Sequence, residues 1–361
     1  MFESLHTYAK SAAVSIFRLA VQSGGSLVWI APTATGTRAP NPAEGNPMAT
    51  GTDVYKGYLF AILAAVLWGI SGPAAKFLFQ SGVTPFQLVQ LRMTIAAGTL
   101  FLWLLIRDRS LLKIDRSDIV YFALLGTFGL AALQFTYLFT ISKIQVAAAI
   151  LLQYMAPGLI AVHAVIFFGD RLAGWTLAAL FGSFAGCYLI VGGYSLELLS
   201  MNRVGIASGV LSAVAFTWYS IHGEHGMRRY NPWTVLAYAL GFGAIGWNVA
   251  YSPMKGLFHG YSPIQWAGIF YIGIMGTLFP FGLYLEGVSR IRSTRASITA
   301  TLEPITAGVI SWVFLHEILA PLQLFGAVLV IGSIVVLQLR HEIDEKTPAL
   351  IRARSGHGPR R

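Results

Sequence analysis

Charge is what this chain has least of. Only 11% of its 361 residues are Asp, Glu, Lys or Arg, against 55% hydrophobic, whereas soluble domains carry roughly 25% charged residues. A mean hydropathy of +0.64 spreads the deficit over the whole length. A water-facing surface is thereby excluded, although the length alone would suit two soluble domains. Cysteine is nearly missing: Cys187 stands alone, so an internal disulfide framework and a cysteine-based zinc cluster are excluded. Histidine is scattered. His222-Gly223-Glu224-His225 offers metal-type atoms, but it sits at a span edge beside Arg228 and Arg229, and no second cluster completes a site. Serine elbows, phosphate loops and nucleotide-binding segments are missing too, so no cofactor is expected and transport driven by ATP within this chain is excluded.

Long apolar runs are what is there. A bilayer core of about 30 Å takes roughly 20 apolar residues as helix. Ten such stretches lie near 57–78, 85–106, 117–139, 145–168 and 172–192, then 204–223, 232–251, 263–287, 294–315 and 321–339. They are too long and too uniformly apolar for barrel strands, which alternate over about ten residues. Pro85, Pro232, Pro263 and Pro321 stand where a helix starts, a place that tolerates a missing N–H. The fold class expected is an all-α membrane protein with ten transmembrane helices.

Basic residues test that count. With the N-terminus inside, the inner loops hold ten lysines and arginines, among them Arg107, Arg109, Arg228, Arg229, Arg290 and Arg292, while the outer loops hold Lys143, Arg203 and Lys255. This is the positive-inside bias. It puts both termini in the cytoplasm and accounts for the net charge of +10 without nucleic acid; membrane lipid is the partner such charge implies. Residues 1–54 read as a poorly ordered tail. The stretch Ala12–Ile30 is broken by Arg18, Gln22, Gly24 and Gly25, and translation from Met48 is an alternative start. Residues 341–361 read as a basic cytoplasmic tail.

The chain also repeats itself. A shift of 147 residues carries Gly126, Gly129, Tyr137, Pro157 and Phe167 onto Gly273, Gly276, Tyr284, Pro304 and Phe314, and Pro85 onto Pro232; Lys143 meets Arg290 and Asp170 meets Glu317. One residue of slippage sets Gly57 against Gly205. Each copy, 55–194 and 202–340, holds five spans. An odd number makes the second copy enter the membrane from the opposite side, so the expectation is two inverted five-helix repeats, an architecture suited to alternating access.

Leu67-Trp68-Gly69, Leu302-Glu303-Pro304 and Leu315-His316-Glu317, with Phe168-Gly169-Asp170-Arg171-Leu172 as the matching element of the first half, resemble motifs of the EamA branch of the drug/metabolite transporter superfamily. The resemblance covers about residues 55–340 as two copies. It implies a secondary transporter in the plasma (bacterial inner) membrane, not an enzyme, most members exporting amino acids or other small polar metabolites through a cavity between the halves. A uniporter or an importer is the alternative. An intramembrane enzyme would need acidic or histidine clusters at one interface, where this chain is mainly basic. The first half departs from the pattern, with Met155-Ala156-Pro157 where Glu-Pro is typical.

Ionisable residues inside spans are functional candidates by default. Glu303 lies near the middle of its span, with Thr299 and Thr306 on the same face by i−4 and i+3 spacing. Pro304 removes a backbone donor and frees a carbonyl in the preceding turn. Carboxylate, hydroxyls and carbonyl together could bind a solute or, as coupling ion, a proton; alternatively Glu303 is bonded internally and only holds the break. Gln153, Tyr154 and Pro157 form the corresponding set in the fourth span. Gln134 and Tyr137 share a face of the third, and Tyr284 repeats Tyr137. These could meet a zwitterion or an aromatic solute, or simply bond between helices. Trp68 and Phe216 hold matching places in the first and sixth spans, and the indole N–H needs a partner. Arg92, two turns into the second span, either snorkels outward or attracts a carboxylate. Glu286 has Arg290 one turn on. Gly241–Gly246 matches a dinucleotide pattern but lies in an apolar span, so it reads as helix packing, as do the Gly182/Gly186 and Gly205/Gly209 pairs.

Overall fold

The computed structural model describes residues 51–144, 146–168, 173–190, 202–251, 259–315 and 320–339. Residues 1–50 of the expected N-terminal tail, the C-terminal tail, the loops with Asp170 and with His316 and Glu317, and most of the link between the repeats lie outside them, while residues 51–54, expected in the tail, belong to the first helix. Among the described residues there is helix and no strand. In chain order the helices are α1 Gly51–Gln80, α2 Pro85–Arg107, and α3, a line of Ile119–Leu124, Leu125–Ala131 and Ala132–Lys143. Next come α4, broken into Val146–Gln153 and Ala156–Phe168, α5 Gly174–Ile190, α6 Arg203–Gly226 and α7 Pro232–Ala250. Pro263–Gly273, Ile274–Leu278 and Phe279–Thr299 follow without a gap, then Ala300–Leu302 and Glu303–Leu315. We label this run α8 up to Arg292 and α9 beyond it. Pro321–Leu339 is α10.

Local chemistry sets the starts. Thr84 caps α2 through a reciprocal box with Gln87 and puts Pro85 at the first helical position, and Asn231 caps α7 ahead of Pro232 at the position related by 147. These side chains satisfy N–H groups that have no partner in the helix. The breaks repeat too. A π-helical turn falls at Leu125–Ala131 and again at Ile274–Leu278. α4 loosens into a turn at Tyr154 and Met155, and α9 tightens into a 3-10 turn at Ala300–Leu302.

Among the described residues, length and hydropathy give seven stretches able to cross a membrane, against the ten expected. The difference has two causes. The stretch Pro263–Ile310 runs for 48 residues, because α8 and α9 are joined at Arg292, whose φ of 66° and ψ of 163° turn the chain without interrupting the helical run. The apolar helices Gly174–Leu189 and Pro321–Val336 fall short of span length within the described residues, which stop at 190 and 339 beside them.

The repeats interlock. α1 lies along α8 and α9, and α6 lies along α3 and α4; α2 packs on α7 and α8, α7 on α3, and α5 on α10. Contacts come in pairs related by the repeat. A Cβ on Gly57 would stand 2.7 Å from Ile291 Cγ2 and 2.9 Å from Arg290 Cβ; one on Gly205 would stand 2.7 Å from Ile144 Cγ2 and 3.0 Å from Lys143 Cβ. Gly186 admits the backbone of Gly326 in the same way, as its small-residue spacing suggests, and Gly243 packs on Met93 and Gly126. Polarity is inside out: Phe128, Phe181 and Val249 are exposed, while Gln90, Arg92, Gln134 and Glu303 are buried. In water so much exposed apolar surface would be a liability; in lipid it is the solvent-matched face.

The two ends of the bundle are closed differently. At one end Arg229 pairs with Asp115 and Asp118, and Tyr230 donates to Asp118. At the other, Gln265 Nε2 donates to Ser81 O at 2.8 Å and Trp247 Nε1 to Phe86 O at 3.0 Å.

Candidate functional site: a sealed polar cavity between the repeats

α1, α2, α3, α4, α6, α8 and α9 meet around a cavity lined by Trp68, Ser71, Arg92, Gln134, Tyr137, Gln153, Phe216, Phe281 and Glu303. It continues past Trp68 and Glu303 to Tyr154, Ala156, Pro157 and Ala300. Its volume, about 30 Å³ of space for water centres, admits a water or two and no metabolite. In this conformer the cavity is too small for a solute.

Glu303 is its chemical centre. It is 7% exposed and opens the helix Glu303–Leu315. Its two oxygens go to two tyrosines of the other repeat: Tyr137 Oη lies 3.1 Å from Oε1 and Tyr154 Oη 2.9 Å from Oε2. Tyr154 Oη also donates to Ala300 O at 2.5 Å. That carbonyl lies four residues before Pro304; lacking the proline N–H, it takes the Glu303 N–H in the 3-10 turn and has its second acceptor position free for Tyr154. One phenol proton cannot serve both acceptors. If it goes to the closer Ala300 O, the bond between Tyr154 and Glu303 needs the proton of a neutral carboxyl.

Arg92 faces the same space. Rather than snorkelling it is 3% exposed, its Nε donating to Thr277 Oγ1 at 2.7 Å and its Nη2 to Gly276 O at 2.8 Å. Nη1 is left for the cavity, and no carboxylate lies within ion-pair distance of this guanidinium among the described residues. The cavity thus holds a guanidinium and a carboxyl that do not pair with each other. Gln134, 2% exposed, has no partner for its Nε2. Trp68 packs edge-on against Phe281 at 4.9 Å and Phe216 at 6.3 Å, and tilts on Tyr284 at 5.5 Å.

Of the residues singled out in the sequence, Trp68, Arg92, Gln134, Tyr137, Gln153, Tyr154, Pro157 and Glu303 come together around the cavity. Tyr284 supports Trp68 from behind and spends its hydroxyl on Ser220 at 2.9 Å. Pro304 acts through Ala300. Thr299 and Thr306 are turned aside, bonded to Arg295 O at 2.8 Å and Leu302 O at 3.1 Å. Glu286 pairs with Arg290, as their spacing suggests. Sequence reasoning missed Ser71 and the Arg92 holder Thr277. Ser71 lies at i+3 from Trp68, a spacing that marks it; Thr277 comes from another span and carries no local signal.

The chain matches the model of the EamA-like transporter family twice, at residues 55–192 and 203–339. It is 26% identical to an uncharacterized inner membrane transporter, YicL, of Salmonella typhimurium, over 79% of this chain and 95% of that protein. A protein of Streptantibioticus cattleyicolor named "Probable terminal-alkyne amino-acid exporter" is 25% identical over 77% of this chain and 92% of its own length. A solved structure described as "Crystal structure of protein" shares the fold, with a TM-score of 0.61 at 20% identity, over 79% of this chain and 97% of that one. Two matched copies covering most of the chain, on a helical fold with a polar cavity between them, make it a member of the EamA-like transporter family.

Proposed function

We propose that this protein is a secondary transporter exporting small polar metabolites, amino acids being the favoured class, by alternating access between two inverted halves in a plasma membrane. Counting the 48-residue stretch as two passes and the two shorter apolar helices as passes gives ten, with both termini cytoplasmic on the positive-inside rule. The observation that carries the reading is the position of Glu303: the carboxyl stands in a closed cavity, held by tyrosines of the other half. Parting the halves must change those bonds. Arg92 and Glu303, unpaired with each other in one cavity, suit the carboxylate and ammonium of a zwitterion, and Trp68, Phe216 and Phe281 offer an apolar wall to a side chain. The exporter of Streptantibioticus, by its name, supports the same class.

Proton antiport follows from the hydrogen-bond count. A neutral Glu303 bridges to Tyr154 in the closed state and gives up its proton when an arriving ammonium or water replaces the phenol. Reconstitution into proteoliposomes tests this. Amino-acid flux is expected to respond to a pH gradient, and Glu303→Gln to remove that response. A gradient response unchanged in Glu303→Gln refutes the proton role. No flux of any amino acid in the parent protein points to the alternative, a carrier of another metabolite class, which a resistance screen on cells expressing the protein would identify.

A further inference from the structure

The repeat relation places Lys76 of α1 on Glu224 of α6, 148 positions apart. The two stand at opposite ends of the bundle and carry opposite charges. Lys76 Nζ donates to Ile141 O at 2.9 Å and to Ile144 O at 3.4 Å. These are the last carbonyls of α3, where the chain leaves the helix at Ile144, φ −132° and ψ 179°. Carbonyls at a helix C-terminus lack partners in the helix and attract a cation. Glu224 does the converse. Its Oε2 accepts from Ser293 N at 2.9 Å and Ser293 Oγ at 2.5 Å, and its Oε1 from Arg292 Nε at 3.2 Å. These are the first donors of α9, where a carboxylate is favoured. The charge is reversed between the repeats because one position faces a helix C-terminus and the other an N-terminus. Arg292 is held at φ 66°, a region that residues other than glycine avoid, and its bond to Glu224 helps hold it there.

Neither Lys76 nor Glu224 lines the central cavity. Each controls a limb that reaches it. From Ile144 the limb Val146–Gln153 runs to the break at Tyr154 and Met155. From Ser293 the helix runs to the 3-10 turn at Ala300–Leu302. Seven or eight helical residues span roughly 11 Å, so each limb is a short lever, pinned by a charge at its outer end and broken beside the cavity at its inner end.

We propose that Lys76 and Glu224 are the two latches of the transport cycle, each holding one end shut, so that loss of one frees only its own end. This rests on the alternating-access reading. The test uses Cys187→Ala with Ser71→Cys, a near-isosteric thiol in the cavity wall, labelled by a membrane-impermeant maleimide in vesicles of either orientation. Glu224→Gln is expected to raise labelling about tenfold from the end carrying Arg229 and Arg292, the effect of losing one charge-assisted bond. Lys76→Met is expected to do the same from the end carrying Ser81 and Gln265. Ser293→Ala, which keeps the N–H, gives a smaller rise than Glu224→Gln on the same side and serves if that variant fails to fold; Lys76→Arg stays near the parent. Equal rises from both sides, a rise on the wrong side, or no change while the parent is labelled and protected by substrate overturns the latches alone. A parent and variants labelled from neither side overturn alternating access itself.

Discussion

Tyr154→Phe removes one oxygen and should destabilise the protein well beyond the loss of one ordinary hydrogen bond. Tyr154 Oη is a partner of Ala300 O, which Pro304 leaves with only the 3-10 bond from Glu303 N, and of Glu303 Oε2. The site is buried, so water does not replace the phenol freely. Ala300 O keeps the bond from Glu303 N, so the group left without its partner is Glu303 Oε2. A buried polar group left unsatisfied costs about 1–3 kcal/mol and the lost bond to Ala300 O about 1 kcal/mol, giving about 2–4 kcal/mol for the substitution. The cause can be isolated, because Pro304→Ala returns an N–H four residues after Ala300. In that background Tyr154→Phe should cost about 1 kcal/mol less, the net worth of one hydrogen bond, roughly a 5-fold difference in the unfolding equilibrium. Unfolding in mixed micelles of increasing SDS can be followed by the reaction of Cys187, the single and buried thiol. Costs that add within about 0.5 kcal/mol, the limit for independent sites, would refute the link between Pro304 and the tyrosine.

Other substitutions probe the pairing of the repeats and the charges. Gly57→Ala and Gly205→Ala meet nearly the same atoms at nearly the same distances, so each should cost about 1–3 kcal/mol by overpacking and the two should agree within about 0.5 kcal/mol in the same SDS titration. Arg92→Lys cannot reproduce the fork on Thr277 Oγ1 and Gly276 O; it should cost about 1.5–3 kcal/mol and weaken flux of carboxylate-bearing solutes more than that of amines. Asp115→Asn breaks an exposed pair with Arg229, and thermal unfolding should show a cost below about 1 kcal/mol that fades at 1 M salt as the charges are screened.

Much of this site could be read from residue types alone. Pro304 announces a carbonyl without its α-helical donor wherever it lies, and Ala300 O is that carbonyl, met by Glu303 N in the 3-10 turn and by Tyr154. Proline and cap residues announce helix starts, as at Thr84-Pro85 and Asn231-Pro232. The failures have physical causes. A period of 3.6 residues puts Thr299 beside Glu303, but the 3-10 turn Ala300–Leu302 between them advances at about three per turn and shifts that register, and the Thr299 hydroxyl bonds back to Arg295 O on its own helix. Spacing also gives the face on which Arg92 stands and not what faces it; Thr277 arrives from α8, 185 positions away. The join of α8 and α9 has no glycine or proline to mark it, since the residue at φ 66° is an arginine.

The asymmetry of the halves carries the mechanism furthest. The repeat sets Ala156 against Glu303, so the second half alone contributes a carboxyl here, while the first half contributes Tyr137 and Tyr154 that bind it and Arg92 across from it. A carboxyl bonded within its own half could ride through a rocking motion with its protonation unchanged. One bonded only across the interface cannot, because any separation of the halves replaces tyrosine with solute or water. On the proposed reading this is why a single acidic residue suffices to couple a proton to access, and why a second one at Ala156 is not needed: the other half's part is to supply the hydroxyls that change places.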